Sequence, residues 1–337
     1  MAISYPPRVS LAQLPTPLEP LDRLSKEIGG PRLWIKRDDL TGSGLSGNKV
    51  RKLEFSAGEA LAQGCDTLIT CGGLQSNHCR TTAIVGARLG LKVHLLLRGL
   101  PEGVPDGNLF LDHLVGGKFS FYQREEYYSR HDEILAELRE KYIREGHKAF
   151  VIPAGASDEI GLWGYVAACE ELRNDFERLG FVPDYIVSAN GSGGTLAGLI
   201  AGNAVYELGT TICGINVADD NAQYFSSKIR ADLRHWKKRY RQDLDVETLT
   251  INVIEEYVGA GYGKAKAPVF ETIRRVARTE GIILDPVYTG KAFHGMLTEI
   301  EQGPLKRAKN IVFIHTGGIF GLFAQRGEFQ FDSAAVT

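Results

Sequence analysis

Along the chain, apolar and polar positions repeat one order: a short apolar run, a glycine-bearing loop, then apolar residues three or four apart. Compact apolar runs at 33–37, 67–71, 93–97, 149–152, 185–189, 212–217 and 311–314 predict buried strands. Helical spacing follows at 50–63, where Leu53, Phe55, Ala57, Ala60 and Leu61 share a stripe that Gly64 stops. The same spacing predicts helices over about 80–88, 132–145, 160–179, 196–208, 224–244, 268–280 and 290–300. Weaker signals mark a proline-bounded extended piece at 14–18, a short helix at 20–28 closed by Gly29-Gly30, and the start of a helix at 110–114. A short strand at 118–122 and an extended piece at 248–254 complete the pattern. Repeated strand–loop–helix units predict an α/β protein of open, twisted, mostly parallel sheets flanked by helices.

Composition narrows the class without changing that picture. At 337 residues, with 43% hydrophobic and 24% charged residues, the chain is long enough for one large or two ordinary domains with ample core. A net charge of −2 gives no global attraction to nucleic acid or to an anionic membrane. The 39 glycines cluster at turns, as tight strand-to-helix loops require. Five cysteines, odd in number and without a C-x-x-C pair, fit neither a disulfide framework nor a metal site. The N-terminus shows no basic stretch followed by an apolar one, and no apolar run reaches membrane-spanning length. The expectation is a reduced, cytoplasmic, soluble protein without a metal.

In open α/β sheets ligands gather beyond the carboxyl ends of the strands, and several exits here carry reactive residue types. Three glycines in Gly42-Ser43-Gly44-Leu45-Ser46-Gly47-Asn48-Lys49 lead to a loop lysine. A phosphate loop would place glycine directly before the lysine and Ser or Thr after it; Asn48 and Val50 stand there instead. Lys49 is therefore either a solvated cation or, once neutral, an amine nucleophile. Gly191-Ser192-Gly193-Gly194-Thr195 lies between an apolar run and an apolar helix, where backbone N–H groups and the helix dipole favour an anion. Leu196 at the third-glycine position departs from the dinucleotide fingerprint, so a single phosphate monoester fits better, with a plain tight turn as the rival. Gln75-Ser76-Asn77-His78 opens a helix suited to a carboxylate, or merely caps it; the G-x-S-x-G elbow of a serine hydrolase is absent there. Tyr262 and Tyr288 sit in glycine-bearing loops, and His315 at a strand end reads as a packed histidine. Tyr127-Tyr128 and the basic run from Arg230 to Arg241 read as surface features.

Longer strings add a resemblance. Trp34-Ile35-Lys36-Arg37-Asp38-Asp39, Gly47-Asn48-Lys49-Val50-Arg51-Lys52-Leu53-Glu54, Gln75-Ser76-Asn77-His78, Asp285-Pro286-Val287-Tyr288-Thr289-Gly290-Lys291 and His315-Thr316-Gly317-Gly318 resemble the D-cysteine desulfhydrase and 1-aminocyclopropane-1-carboxylate deaminase family. The likeness spans about residues 8–323. It implies the tryptophan-synthase-β-like fold and pyridoxal 5′-phosphate. It also implies a large domain of residues 1–51 and 166–337, with a small α/β domain of residues 52–165 inserted in it and the active site between them. By position, Lys49 resembles the Schiff-base lysine, with Asn48 beside it. Asn77 matches the neighbour of the cofactor's 3′-oxygen, and Gly191, Ser192, Gly193, Gly194 and Thr195 match the phosphate cup. Ser76, with Gln75, Asn77 and His78, matches the substrate-carboxylate loop, and Tyr262 and Tyr288 match the active-site tyrosines.

Thr289 and Thr316 match the cofactor-binding pair that resembles the desulfhydrases, whereas the deaminases carry Glu and Leu there. The resemblance thus implies α,β-elimination from D-cysteine, with Lys49, Ser76, Tyr262 and Tyr288 catalytic, and a homodimer. Ring-opening deamination of 1-aminocyclopropane-1-carboxylate is the alternative, and L-cysteate or β-chloroalanine are further substrates of the elimination class. A non-catalytic phosphometabolite-binding protein is the reading from a different class. Cys79 and Ile319-Phe320-Gly321-Leu322-Phe323 depart from the family's commonest strings.

Overall fold

The computed structural model describes residues 4–329; the chain ends, including Met1–Ile3 of the N-terminal stretch and 330–337 of the expected large domain, lie outside the described residues. Among the described residues ten strands form two sheets. The larger has the order β1 (Leu18–Pro20), β2 (Arg32–Lys36), β10 (Asn310–Ile314), β7 (Tyr185–Asn190), β8 (Thr211–Asn216) and β9 (Asn252–Ile254). The smaller has the order β5 (Lys118–Tyr122), β4 (Lys92–Arg98), β3 (Thr67–Gly73) and β6 (Ala149–Val151). Every pairing is parallel except that of β1 with β2.

Parallel sheets are covered on both faces, and the apolar runs show why these strands could be read directly. On β10, Ile311 and Phe313 enter one core with Leu284 and Phe293, whereas Val312 and Ile314 enter the other with Trp163 and Leu196. The smaller sheet divides likewise, Leu95 and Leu97 packing on one face and Leu96 on the other. Successive side chains point to opposite faces, so a strand between two helix layers needs apolar residues at every position. Among the described residues no helix is long and apolar enough to cross a membrane.

The structure moves several expected boundaries. The first long helix is Asn48–Ala62, so Lys49 lies in its opening turn rather than in a loop. The extended piece at 248–254 pairs only over Asn252–Ile254, and the helix expected from 160 starts at Trp163. A helix at Arg124–Ser129 has no counterpart in the sequence reading, because its REEYYS composition carries no apolar stripe.

The Asn48–Ala62 helix runs between the two sheets. It packs against Asn77–Leu89 from the small-sheet side and Trp163–Leu179 from the large-sheet side. We propose the domain division at 51/52 and 165/166; its first boundary falls inside this helix. Contact with Trp163–Leu179 is close enough that a Cβ on Gly164 would stand 2.6 Å from the Arg51 carbonyl carbon. The Arg51 guanidinium is buried there, donating to Asp38 Oδ2 at 2.9 Å and Glu171 Oε1 at 2.7 Å. Tyr165 Oη donates to the same Asp38 oxygen at 2.6 Å. Burial alone would raise the Asp38 carboxyl, but the Arg51 charge and hydrogen bonds outweigh it and hold Asp38 below the usual carboxylate range.

Candidate active site

Strands β3, β7, β8 and β10 all end at one cavity of about 580 Å³ between the sheets. Lys49 reaches it from the start of its helix. Gly47 precedes that helix at φ 110°, where its Cα–H faces the Thr316 carbonyl; a Cβ would come within 2.7 Å of that oxygen. Asn48 N–H donates to the same carbonyl at 3.1 Å. The glycine approach therefore positions the lysine by letting two backbones touch. Lys49 lines the cavity, and desolvation pushes its ammonium down to about 8.

Around Lys49 the wall is built for an anion. Lys52 lies one helical turn on, at i+3 and so on the same face, with Nζ donating to Gly155 O at 2.9 Å and Ser157 Oγ at 3.3 Å. Burial, then the neighbouring charges of Lys49 and Lys228, hold Lys52 well below its ordinary value. Ser157 Oγ also meets Ser192 Oγ at 2.8 Å and accepts the Gly194 N–H at 3.3 Å. Lys228 Nζ donates to Ser157 O at 3.0 Å. The helix Gly194–Val205 begins here with Gly193 at φ 84° and no side-chain cap, and Asn48 Nδ2 donates to Thr195 Oγ1 at 2.9 Å. Asn190, at the end of β7 on the cavity wall, is buried with both side-chain polar atoms unpartnered. Three lysines, an uncapped helix start and an orphaned amide fit a phosphorylated, polar, planar cofactor such as pyridoxal phosphate.

The second helix start on the cavity, Asn77–Leu89, is capped by Ser76, whose Oγ accepts from Cys79 N at 3.2 Å. Asn77 is fixed by Asn108, whose Nδ2 donates to Asn77 Oδ1 at 3.1 Å. His78 Nε2 lies 2.7 Å from Thr70 Oγ1, whose single proton is directed to Ile152 O at 2.8 Å. His78 Nε2 therefore donates, leaving Nδ1 as a buried acceptor without a partner. Burial, and then the Lys49 and Lys52 charges, keep this imidazole neutral. Opposite, the Tyr262 and Tyr288 hydroxyls are in direct contact, their rings at 71° with centroids 5.8 Å apart. Burial raises both phenols, so both hold their protons near neutrality.

The cavity thus gathers Lys49, Asn48, Ser76, Asn77, His78, Gly191, Ser192, Gly193, Thr195, Tyr262, Tyr288 and Thr316. Two expected side-chain contacts fall elsewhere. The Gln75 side chain turns away to accept the Asn108 N–H at 2.9 Å and donate to Asp106 O at 2.9 Å, locking a neighbouring loop. Thr289 is fully buried behind the wall, its hydroxyl donating to Asp285 Oδ1 at 2.7 Å and accepting the Asp285 N–H at 2.8 Å. Gly194 belongs to the anion wall through its backbone, its N–H donating to Ser157 Oγ at 3.3 Å, and a Cβ there would stand 2.6 Å from that oxygen and 2.7 Å from Lys52 Nζ. Tyr127, read as a surface residue, is buried and lines the cavity. His315 is packed as expected, with Nε2 3.0 Å from Ile283 O.

Sequence reasoning missed Lys52, Ser157, Asn190, Lys228 and Arg98. Only Lys52 had a local signal, its i+3 spacing from Lys49; the others arrive through contacts 35 or more residues distant in the chain or from unrelated strand ends.

Comparison with known proteins agrees with this geometry. The family model described as pyridoxal-phosphate dependent enzyme matches residues 9–317. The chain is 42% identical over 326 residues to the "Bifunctional D-cysteine desulfhydrase/1-aminocyclopropane-1-carboxylate deaminase, mitochondrial" of Arabidopsis thaliana, covering 93% of this chain and 79% of that one. A solved structure described as an ACC deaminase homologue superposes with a TM-score of 0.87 at 38% identity, covering 96% of this chain and 95% of that one. A fungal L-serine ammonia-lyase from Rhizomucor miehei, at 16% identity and a TM-score of 0.68 over 96% of this chain and 100% of that one, shares the fold. The chain belongs to the pyridoxal-phosphate-dependent enzymes, in the group of 1-aminocyclopropane-1-carboxylate deaminases and D-cysteine desulfhydrases.

Proposed function

We propose that the protein is a lyase that eliminates the thiol of D-cysteine, giving pyruvate, ammonia and hydrogen sulfide. The observation that carries this reading is the β10 end of the cavity. Thr316, a hydroxyl-bearing residue, lines the cavity there, and the nearby Asp285 carboxylate is consumed by the N–H groups of Val287, Tyr288 and Thr289 and by the Thr289 hydroxyl. Pyridoxal phosphate, when bound, supplies an aldehyde for an amine and a ring that withdraws electrons from the bound amino acid. A hydroxyl beside the ring makes a weaker electron sink than a carboxylate would. A thiolate leaves readily and needs the weaker sink; opening a cyclopropane needs the stronger.

The chain's own groups divide the remaining work. Lys49 would hold the cofactor's aldehyde, and Lys52, Ser157, Ser192 and the Gly194–Val205 helix start would hold its phosphate. Ser76 and the N–H groups of its helix orient the substrate carboxylate. Once the substrate's amine has taken its place on the aldehyde, the released Lys49 Nζ, lowered to about 8 and in part a free amine near neutrality, would take the Cα proton. The tyrosine pair, protonated and in mutual contact, supplies a proton to the departing sulfur. We propose a homodimer as the working form; Leu100, Val104, Phe110 and Phe323 leave apolar surface exposed to support it.

The test is a panel of D-cysteine, L-cysteine and 1-aminocyclopropane-1-carboxylate, assayed for keto acid and for sulfide. Sulfide and pyruvate from D-cysteine ahead of the others is the expected result. The second reading is the cyclopropane deaminase: the solved homologue is named for that activity alone, and the name of the Arabidopsis relative carries both activities. Keto acid released faster from the cyclopropane than sulfide from D-cysteine would establish it in place of the first.

A further inference from the structure

Beyond the tyrosine pair the cavity wall changes character. Arg98 ends β4, directly beside Gly73 in the ladder, so it stands over the approach to the Ser76 loop. A Cβ on Gly73 would lie 3.8 Å from Arg98 Nη2 and equally far from Tyr262 Cε1. The guanidinium is stacked among three aromatic rings, 5.1 Å from the centres of Tyr128 and Tyr262 and 5.8 Å from that of Tyr127. Its Nη1 donates to Tyr128 Oη. The other cations of the wall beyond the lysine pair have carboxylate partners: Lys228 has Asp232 at 2.6 Å, and His131 has Asp132 at 2.8 Å. Asp219, the acid facing Arg98 across the cavity mouth, is taken by Arg124 at 3.1 Å and by the Tyr262 N–H at 2.8 Å. Among the described residues Arg98 forms no ion pair.

Ring faces stabilise a guanidinium but carry no net charge to neutralise it. A half-buried, fork-shaped cation at a cavity wall, whose facing acid Asp219 feels its charge but spends its hydrogen bonds on Arg124 and the Tyr262 N–H, keeps donors for an anion. The anion is not the cofactor phosphate, for which the three lysines and the Gly194–Val205 helix start are already gathered at the glycine cup, where a Cβ on Gly191 would lie 3.0 Å from the Tyr288 ring. Nor is it the substrate carboxylate, for which the Asn77–Leu89 helix start already offers its N–H groups. What remains is the group on Cβ.

We propose that Arg98 is a specificity-determining residue that binds negative charge on the β-substituent of the amino-acid substrate, selecting substituents that carry or depart with such charge. This rests on the lyase reading above and names its substrate class: three-carbon amino acids whose β-substituent leaves as a thiolate or a similar sulfur anion. In the elimination the Cβ–S bond breaks and its electron pair stays on sulfur. Arg98 holds that charge until a proton arrives from the tyrosine pair, and the electrons released at Cα by proton loss form the Cα–Cβ double bond.

The experiment separates binding from turnover. The holoprotein is mixed rapidly with D-cysteate, whose sulfonate is a fixed charge in the β position, and with D-alanine, which lacks it; the change in the cofactor's visible band before turnover reports occupancy. Wild type is expected to prefer D-cysteate by about 10-fold or more, the range of a charge-assisted hydrogen bond. Arg98→Gln should abolish the preference while leaving D-alanine affinity unchanged, and Arg98→Lys should retain part of it. An equal preference in Arg98→Gln, equal losses with both ligands, or no preference in wild type would overturn the proposal. The unliganded band and melting temperature of each variant report whether it folds and holds cofactor. If D-cysteine yields no sulfide while the D-cysteate preference depends on Arg98, the lyase reading fails and the anion subsite stands.

Discussion

Two helices begin on the same cavity, and they begin differently. The Asn77–Leu89 helix is closed by its own serine, Ser76 Oγ accepting the Cys79 N–H. The Gly194–Val205 helix starts from Gly193, which has no side chain to cap it; Ser157, from another loop, takes the Gly194 N–H, and three lysines gather in front of it. A cap satisfies one orphan N–H at the helix start and leaves the rest, enough for a singly charged carboxylate that comes and goes. An uncapped start backed by cations suits a doubly charged phosphate that stays. One fold thus makes a reversible site and a resident site from the same backbone device.

The largest effect comes from the amine that both sites serve. Lys49→Ala should lower turnover by about 10⁴-fold or more, and purified protein should lose its borohydride-reducible visible band. Phosphate binding should survive, because the uncapped start is untouched. In wild-type apoprotein, pH adds a check. Folding lowers Lys49 from 10.5 to about 8, so the neutral amine grows as pH rises through about 8. Capture of an added aldehyde, trapped by borohydride, should increase through that pH and then level; a midpoint near 10.5 would mean that the lysine is solvated.

Gly194→Ala probes the resident site alone. The added methyl would fall 2.6 Å from Ser157 Oγ and 2.7 Å from Lys52 Nζ. Overpacking of about 1–3 kcal/mol predicts cofactor affinity weakened roughly 5- to 150-fold. Excess pyridoxal phosphate should restore turnover with an unchanged KM for the amino acid.

Ser76→Ala should give the smallest and opposite pattern. Loss of the cap costs about 0.5–2 kcal/mol of stability, read as a lower melting temperature, and KM for the amino acid should rise while cofactor affinity holds. If both variants shifted both affinities alike, the two helix starts would be one site rather than two.

The fold was legible in the sequence where local pattern and burial coincide. Strands such as β3 and β7 are apolar at consecutive positions because helices cover both faces, and glycine turns announce their exits. Lys49, the Ser76 turn and the Gly191–Thr195 turn stood out for the same reason. The rest of the site depends on distance along the chain rather than on pattern. Ser157 meets Ser192 only because two loops converge. Tyr127 is buried through its place under Arg98 and against His131, which no property of the Arg124–Ser129 helix foretells. Gln75 and Thr289 illustrate the converse: each belongs to a string that reaches the cavity, yet its side chain is spent on the neighbouring backbone or on Asp285. A motif locates a turn, whereas hydrogen-bond competition decides which of its side chains face the ligand.

The buried Arg51 beneath Lys49 bears on how such an enzyme can diversify. Arg51, Asp38, Glu171 and Tyr165 interlock inside the protein, and removing one partner would strand a charge away from water. The helix bearing the reactive amine is therefore tied to foldability itself, and removing Arg51 or Asp38 would cost stability whatever the substrate. Arg98 and Tyr128, in front of the buried Tyr127, stand partly in solvent and join no buried ion-pair network, Tyr128 being 53% exposed. Heritable change in substrate range has its freest ground there, with the chemistry held constant by a pedestal that selection for stability already guards.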